Sequence, residues 1–260
     1  EALRLDPDDA SVHCSLGTAL LNKRDLDGAL AELREALRLD PGYALAHYGL
    51  GAALGEKGDF RGSVEAHRKS VSLAPGTPFI RRALAEAERM LAAHARLPAV
   101  LRGEDRPATA EEWKALAQVC RRLKDYAAAA RFWRQAFEAS PTLAADLAWG
   151  NRYSAALSAV LAGTAEWRTQ AAAWLRADLA LRAEQVHGRP LTSHSLQKSD
   201  GYVYQAEGMA AAGALRHWLG DPDLASIRGE AELAKLPEAE REEWRAFWRD
   251  VAALLAEASK

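Results

Sequence analysis

Apolar and small side chains recur with a fixed period along the first part of the chain, and a proline closes each period. The heptapeptide at residues 1–7 is repeated unchanged at residues 35–41, and residues 70–75 stand in the same register one period further on. Between the prolines the apolar positions have helical spacing, and proline interrupts a helix because it lacks an N–H donor. The pattern predicts a helix-turn-helix unit that repeats every 34 residues, the interval from Glu1 to Glu35.

Small residues mark the place where the two helices of each predicted unit cross. In the first full unit, residues 10–42, Gly17 lies in the first helix and Ala29 in the second, and Gly51 matches Gly17 in the next unit, residues 43–76. A close crossing needs Gly or Ala, while larger apolar side chains fill the space on either side. These positions resemble those of the tetratricopeptide repeat (TPR) family. The resemblance implies an all-α chain whose TPR helix-turn-helix repeats form a right-handed α-solenoid and present a binding surface.

The rest of the chain departs from strict register but continues to predict helices. Thr77 and Pro78 predict the start of a helix over residues 78–97 that covers the end of the first repeats, and Pro98 opens a predicted linker. Thr109 predicts the cap of a third unit. The predicted domains are TPR repeats with the covering helix at 1–97, a linker at 98–108, TPR-like repeats at 109–186, a loop at 187–203 and a helical C-terminal cap at 204–260.

All eight tryptophans lie after residue 112, which predicts an aromatic core in the later part of the chain. A fourth unit is predicted to begin with a helix at residues 144–161, and residues 167–186 are predicted to form its partner helix. The last helix is predicted to start at Pro237. Its apolar stripe has helical spacing and consists of Trp244, Phe247, Trp248, Val251, Leu254 and Leu255.

Composition and charge narrow the classes of partner and location. The formal net charge of the 260 residues is only -2, which disfavours nucleic acid, including the RNA that some helical repeats bind. Cys14 and Cys120 lie far apart in the sequence and both fall in predicted helices, which predicts small apolar packing in a reducing compartment. No signal peptide is visible and no apolar stretch is long enough for membrane insertion, so we expect a cytoplasmic protein. Because the chain starts in the middle of a repeat, we expect a longer protein whose missing segment could carry a membrane anchor.

No arrangement of side chains predicts catalysis, a cofactor or a metal. His13 and His47 stand one period apart, but Trp113 takes the equivalent place in the third unit, so the position favours a packed ring over a metal ligand. Gly49 and Gly51 superficially match a nucleotide loop, yet they lie in a predicted helix and follow no strand. The Ser-His-Ser sequence at residues 193–195 lacks the turn that presents a catalytic serine. We therefore expect that this chain is not an enzyme.

In TPR arrays the first helix of each unit lines a concave groove, and the resemblance implies such a groove here. The residues that grip a chaperone's C-terminal carboxylate in some TPR domains are not supplied at these positions. Lys114, Arg121 and Arg122 form a basic cluster able to meet an acidic peptide, and a solvated charged surface is the alternative. The groove candidates are Ser11, Cys14, Thr18 and Asn22; Leu45, Tyr48, Ala52 and Glu56; and Glu111, Lys114, Gln118, Arg121 and Arg122.

A second set of motif residues lies near the C-terminus: residues 174–179, 217–218, 221–224, 236–237 and 250–251, together with Arg228, Arg241, Trp244 and Trp248. They resemble the TPR tails of bacterial eukaryotic-like serine/threonine protein kinases, and this implies a kinase domain on the N-terminal side of the repeats. The chain itself has no glycine-rich nucleotide loop, His-Arg-Asp or Asp-Phe-Gly, so no catalytic residue is carried over. We expect a protein-protein interaction scaffold that binds a peptide or helix. The alternative is the regulatory or substrate-recruiting arm of such a kinase.

Overall fold

Helices provide all the regular secondary structure in the described part of the chain. The computed structural model describes residues 9–147, 150–187 and 211–259, and these ranges contain no strand, so the predicted all-α class is confirmed. A 3-10 helix, Pro222–Ile227, follows α11. The α-helices are α1 (Ala10–Asn22), α2 (Leu26–Leu39), α3 (Ala44–Glu56), α4 (Phe60–Leu73), α5 (Pro78–Leu101), α6 (Ala110–Arg122), α7 (Tyr126–Ala139), α8 (Pro141–Ala145), α9 (Asn151–Ala162), α10 (Ala165–Val186), α11 (Ala211–Gly220), α12 (Glu230–Leu233) and α13 (Glu238–Ala258).

A recurring turn joins the two helices of each repeat. The residue before the second helix is an aspartate, whose side chain accepts a hydrogen bond from a backbone N–H in the first turn and so caps the helix. The residue before the aspartate has a positive φ, which ends the first helix: Arg24 (62°), Gly58 (88°) and Lys124 (63°). The caps are Asp25 to Gly28, Asp59 to Gly62 and Asp125 to Ala128, with N···O distances of 3.0, 2.9 and 3.1 Å.

Glycines at the helix crossings allow the close approach that the sequence predicts. A Cβ atom placed on Gly17 would lie 2.7 Å from Leu33 Cγ, and one placed on Gly49 would lie 2.7 Å from Leu33 Cδ2. A Cβ atom on Gly51 would lie 2.8 Å from ring atoms of His67. Leu33 is therefore held between a glycine of α1 and a glycine of α3, and this contact joins the first repeat to the second.

The chain divides into two compact units. The first unit comprises Glu1–Pro107 and Gln118–Lys124, and the second comprises Ala108–Ala117 and Asp125–Lys260. The two halves of α6 thus belong to different units. The predicted domain boundaries stay a prediction.

In the first unit, α5 takes the place of a further first helix. α1, α3 and α5 begin at Ala10, Ala44 and Pro78, so each starts 34 residues after the one before. α5 packs against α4 and touches α3, just as α3 packs against α2 and touches α1. Residues 91–93, Leu-Ala-Ala, lack the capping aspartate that the period would place there, so the helix continues where the earlier repeats turn.

The end of α5 lies later than the sequence predicts. The prediction ends this helix near Leu97 and opens a linker at Pro98, but α5 runs through Pro98 to Leu101. Leu97 and Val100 are both buried, and burial of these apolar side chains favours a helix that continues past the proline. The connection to α6 is correspondingly shorter than predicted.

Of the two predicted side-chain caps, the structure contains that of α6 but not that of α5. The Glu112 backbone N–H donates to the Thr109 hydroxyl at 3.2 Å, while the Glu112 carboxylate accepts from the Ala108 N–H at 2.7 Å, so the cap of α6 is confirmed. Pro78 is the first residue of α5, as predicted, but the side chain of Thr77 makes no capping hydrogen bond.

Aromatic side chains form the core of the second unit, as the tryptophan distribution predicts. Trp133, Trp218 and Trp244 are each at most 1% exposed. Tyr153 stacks on Trp218 with ring centroids 5.6 Å apart and ring planes 2° apart. Phe247 contacts the rings of Trp218 and Trp244, so aromatic contacts link α9, α11 and α13.

The fourth predicted repeat is interrupted in its first helix. The sequence predicts that this unit begins over residues 144–161, but α8 ends at Ala145, Gly150 has a φ of 56°, and α9 begins only after Gly150. A left-handed residue cannot continue a right-handed helix. The partner helix predicted at residues 167–186 is confirmed as α10. Residues 1–8 and 188–210 lie outside the described part of the chain, and with them nearly all of the predicted loop, the Ser-His-Ser sequence and the first residues of the predicted cap.

Candidate functional site

The groove candidates on α1 differ in solvent exposure. Ser11, Thr18 and Asn22 are exposed, whereas Cys14 is only 7% exposed. The Thr18 hydroxyl donates to the Cys14 carbonyl oxygen at 2.9 Å, a bond within the helix. Burial raises the pKa of the Cys14 thiol. α1 thus presents a polar surface of three predicted residues, and the fourth packs beneath it.

The candidates on α3 present an apolar surface. Leu45 is 43% exposed, while Tyr48 and Ala52 are half-buried. The Tyr48 ring lies edge-on to the Phe79 ring at 5.3 Å between centroids, and 5.6 Å from the ring of His67. Leu45 and Tyr48 are three residues apart, so they are neighbours on one side of the helix. We call Leu45, Tyr48 and Phe79 the aromatic patch.

Residues of α5 extend this surface, and the sequence prediction missed them. Phe79 follows Leu45 by one period and contributes to the aromatic patch. The repeat period could have indicated these residues, because α5 begins 34 residues after α3. Residues 78–97 were instead interpreted as a covering helix, so no groove residues were predicted there. The α5 residues one period after the α3 candidates are Phe79, Arg82, Glu86 and Met90. Together, the candidates on α1 and α3 and these four residues are called the first-helix face.

The carboxylate of Glu56, at the end of α3, binds two arginines from the end of α6. Arg122 Nη2 donates to Glu56 Oε1 at 2.7 Å, and Arg121 Nη2 lies 3.6 Å from Glu56 Oε2. Arg122 Nη1 lies 4.0 Å from the sulfur of Met90. Burial acts to raise the pKa of Glu56, but the charges of Arg122 and Arg121 outweigh it and hold this pKa below its usual range. The carboxylate is therefore ionised at neutral pH.

The basic candidates on α6 each lie near a carboxylate. Lys114, in the second unit, is 3.6 Å from the Glu111 carboxylate, and its side chain is 16% exposed. Gln118 is half-buried and belongs to the first unit with Arg121 and Arg122. Each basic residue of the predicted cluster thus has a carboxylate partner. A ligand at these residues would therefore meet ion pairs.

A cleft of about 510 Å³ lies in the first unit. It is lined mainly by residues of α2 and of the turn after α3, including Leu30, Arg34 and Asp59. Lys57 and Asp27 form an exposed ion pair there at 2.6 Å. None of the predicted groove residues lines this cleft.

The histidines that were weighed as metal ligands have other partners. His13 is buried, and its Nδ1 lies 2.7 Å from the Glu32 carboxylate, while the ring of His47 lies 3.1 Å from the Pro41 carbonyl oxygen. Gly49 and Gly51 lie within α3 and not in a loop. In the described ranges, no group of three or more His, Cys, Asp or Glu residues is placed to hold a metal ion. Nor does any helix of these ranges combine the length and apolarity needed to span a membrane.

The second unit contains a buried charged pair that sequence analysis did not identify. Arg182 Nε donates to Asp178 Oδ2 at 3.2 Å, and the two side chains are 6% and 2% exposed. Burial raises the pKa of Asp178, and the charge of Arg182 opposes this effect. The Arg182 guanidinium also lies over the Trp218 ring at 5.5 Å. The i, i+4 spacing was visible in the sequence, but burial of the pair depends on the aromatic core around it.

The chain was compared with a set of protein-family models, with curated proteins and with solved structures. Residues 23–58, which contain α2 and α3, match the family model for the TPR repeat, so the chain contains a TPR repeat there. No curated protein matches the chain. Among solved structures, YrrB, a TPR protein with an unusual peptide-binding site, matches with 19% identity over 73% of this chain and 96% of that chain, with a TM-score of 0.35. The MamA protein matches with 18% identity over 70% of this chain and 96% of its own, with a TM-score of 0.32.

Proposed function

We propose that the chain is a non-catalytic protein-interaction scaffold and that it binds a peptide or a helix along the first-helix face. The TPR repeat at residues 23–58 supports an interaction role, because such repeats act by presenting a surface. The first-helix face combines exposed polar residues on α1 with the aromatic patch on α3 and α5. This combination suits an extended or helical segment with a few apolar anchors.

The observation that carries the proposal is the exposure of Leu45 beside Tyr48 and Phe79. Single exposed apolar residues are common, but a contiguous apolar patch with a polar surround marks an interaction site more often. Leu45 is 43% exposed and lies about one helical turn before Tyr48, whose ring contacts that of Phe79. A leucine or aromatic side chain of a ligand could bury itself there.

A peptide selection with the full chain tests the proposal. A random twelve-residue library would be selected against the immobilised protein, and the dissociation constant of an enriched peptide measured by fluorescence anisotropy. Thr18→Gln and Ala52→Gln place a larger, uncharged side chain on the first-helix face, and we expect each to weaken binding several-fold. Ser72→Gln makes the same kind of change at an exposed position of α4 and serves as the matched control. Equal binding by all variants would contradict the proposal.

The alternative, a recruiting arm of a serine/threonine kinase, rests on the resemblance of the C-terminal residues and stays a prediction. Sequencing the reading frame upstream of Glu1 tests it. A glycine-rich loop, a His-Arg-Asp and an Asp-Phe-Gly in that frame would support it, and further repeats without them would contradict it.

A further inference from the structure

Arg152, on α9 of the second unit, has an enclosed nitrogen atom without a hydrogen-bond partner. Its side chain is half-buried, and Nη1 meets no acceptor in the described part of the chain. A guanidinium stays charged in proteins and carries five N–H donors. Buried polar atoms are nearly always hydrogen-bonded, and a charged group without a partner is the most costly exception. The enclosed nitrogen of Arg152 therefore calls for an acceptor.

The nearby carboxylate of Asp178 is already bound by another arginine. α9 packs against α10, which carries Asp178 and Arg182. Arg182 Nε donates to Asp178 Oδ2 at 3.2 Å, whereas Arg152 interacts with Asp178 through charge without a hydrogen bond. We call Arg152, Asp178 and Arg182 the buried charge cluster. It combines two guanidinium groups with one carboxylate, so one positive charge is left over.

No other described group offsets this surplus positive charge. Asp178 is the one group in the described ranges whose charge acts on Arg152. A second buried carboxylate, that of Asp221, is bound elsewhere, because it accepts from the Tyr153 hydroxyl at 2.6 Å and from the Asp223 N–H at 2.9 Å. Burial lowers the pKa of Arg152 and raises that of Asp178, so the cluster is not fully compensated by its own charges.

The groups of the cluster that remain uncovered are hydrogen-bond donors. The bond to Asp178 uses Nε of Arg182, which leaves the two terminal nitrogens of Arg182 for another acceptor. The Trp218 ring covers one face of this guanidinium at 5.5 Å, so its N–H groups point along the plane and not towards the ring. The Arg182 side chain is 6% exposed, so a ligand there must be small. Donors and a surplus of one positive charge select a monovalent anion.

We propose that a small monovalent inorganic anion of the size of chloride binds to Arg152 and Arg182 and joins α9 to α10. The anion accepts a hydrogen bond from the enclosed Nη1 of Arg152 and another from a terminal nitrogen of Arg182. It offsets the surplus charge of the buried charge cluster, while the carboxylate of Asp178 opposes its binding. This site lies in the second unit and does not depend on the ligand of the first-helix face.

Chloride binding by the full chain tests the inference. The chlorine NMR line broadens when the ion exchanges onto a protein, and chloride is titrated at constant ionic strength with a bulky sulfonate as the replacing anion. We expect saturable broadening by the wild-type protein and binding several-fold weaker by Arg152→Gln, because a charged donor is lost. Asp178→Asn should bind chloride more tightly, because the opposing charge is removed. Arg249→Gln removes the same charge at an exposed position of α13 and should match the wild type.

Thermal melts provide a second readout. The unfolding midpoint of the wild type should rise with chloride at constant ionic strength, and that of Arg152→Gln should not. If Arg152→Gln does not fold, Arg152→Lys is measured, because it keeps the charge, loses the planar fork and should bind chloride more weakly.

Three results would overturn the inference. The first is a wild-type protein that broadens the line without saturation. The second is equal binding by the wild type and the Arg152 variant, because chloride would then bind elsewhere. The third is an Asp178→Asn protein whose affinity for chloride is not increased. None of these results bears on the proposed function, which is tested by peptide binding to the first unit.

Discussion

His67 occupies the position in the second repeat that Leu33 occupies in the first. Each side chain lies against a glycine of the preceding helix, Leu33 against Gly17 and His67 against Gly51. His67 is 4% exposed and its Nδ1 has no hydrogen-bond partner. Burial lowers the pKa of His67 from 6.5 to about 4. A polar ring is thus kept neutral in a position that suits an aliphatic side chain.

The stability of the first unit should therefore fall as the pH is lowered towards 4. The folded state binds the His67 proton only near pH 4, whereas the unfolded state binds it near 6.5, so acid favours unfolding. The slope attributable to this group approaches about 1.4 kcal/mol per pH unit between these values. We expect His67→Leu to reduce this slope, measured as the unfolding free energy in urea at pH 7 and pH 4.5. Parallel pH profiles for the variant and the wild type would contradict the assignment.

Gly17 should tolerate no larger side chain, because Leu33 cannot move away from it. The opposite side of Leu33 contacts Gly49, so a new side chain on Gly17 compresses the crossing of α1 and α2. Gly17→Val should lower the free energy of unfolding by about 1–3 kcal/mol, as overpacking does elsewhere. Ala19→Val introduces the same side chain at an exposed position of the same helix, and its lower helix propensity should reduce the free energy of unfolding by less than about 1 kcal/mol. Equal urea midpoints for the two variants would show that the crossing is not tight.

The role of a single residue could be predicted from the sequence where the geometry of the repeat requires a particular residue type. Gly17 and Gly51 follow from the need for two helices to cross closely, and the sequence marks them by their spacing. The contact of His13 with Glu32 was not predictable, because the two residues lie on different helices and their approach depends on how those helices pack. For the same reason the sequence did not show that Glu56 would bind Arg122.

At the scale of elements, the capping aspartate determines whether a helix pair forms. Each of the turns at Asp25, Asp59 and Asp125 has this cap, and the corresponding place in α5 has alanine. The start of α5 could be predicted from the period, and its continuation could have been predicted from the missing aspartate. The end of α5 at Leu101 could not, because it depends on the burial of Leu97 and Val100 in the folded chain.

Removal of one cap tests this account of the turns. Asp59→Ala deletes the oxygen that accepts from the Gly62 N–H at 2.9 Å, and we expect a loss of about 1 kcal/mol in the free energy of unfolding. Asp59→Asn keeps an acceptor of the same size and should remain close to wild type. Thermal unfolding followed by circular dichroism compares the two. A full loss with Asn would mean that the charge of Asp59, and not the hydrogen bond, stabilises the turn.

At the scale of the whole molecule, the sequence predicted the helical class and the helix-turn-helix repeats. The aromatic core of the second unit was also foreseen from the tryptophan content. The buried pair of Asp178 and Arg182 was not, because its burial requires helices that are distant in sequence to meet. The composition of the first-helix face was predicted only in part, since α5 was assigned a covering role. The sequence does not predict the identity of the ligand, because packing does not constrain the residue types on the surface that would bind it.

The central claim is that a ligand binds along α1, α3 and α5 of the first unit. The most direct measurement is a map of backbone amide chemical-shift changes in the isotope-labelled full chain on titration with a selected peptide. The account predicts the largest changes in these three helices and at Arg122, with smaller changes in α2 and α4. Changes confined to α2 and α4, or to the second unit alone, would contradict it.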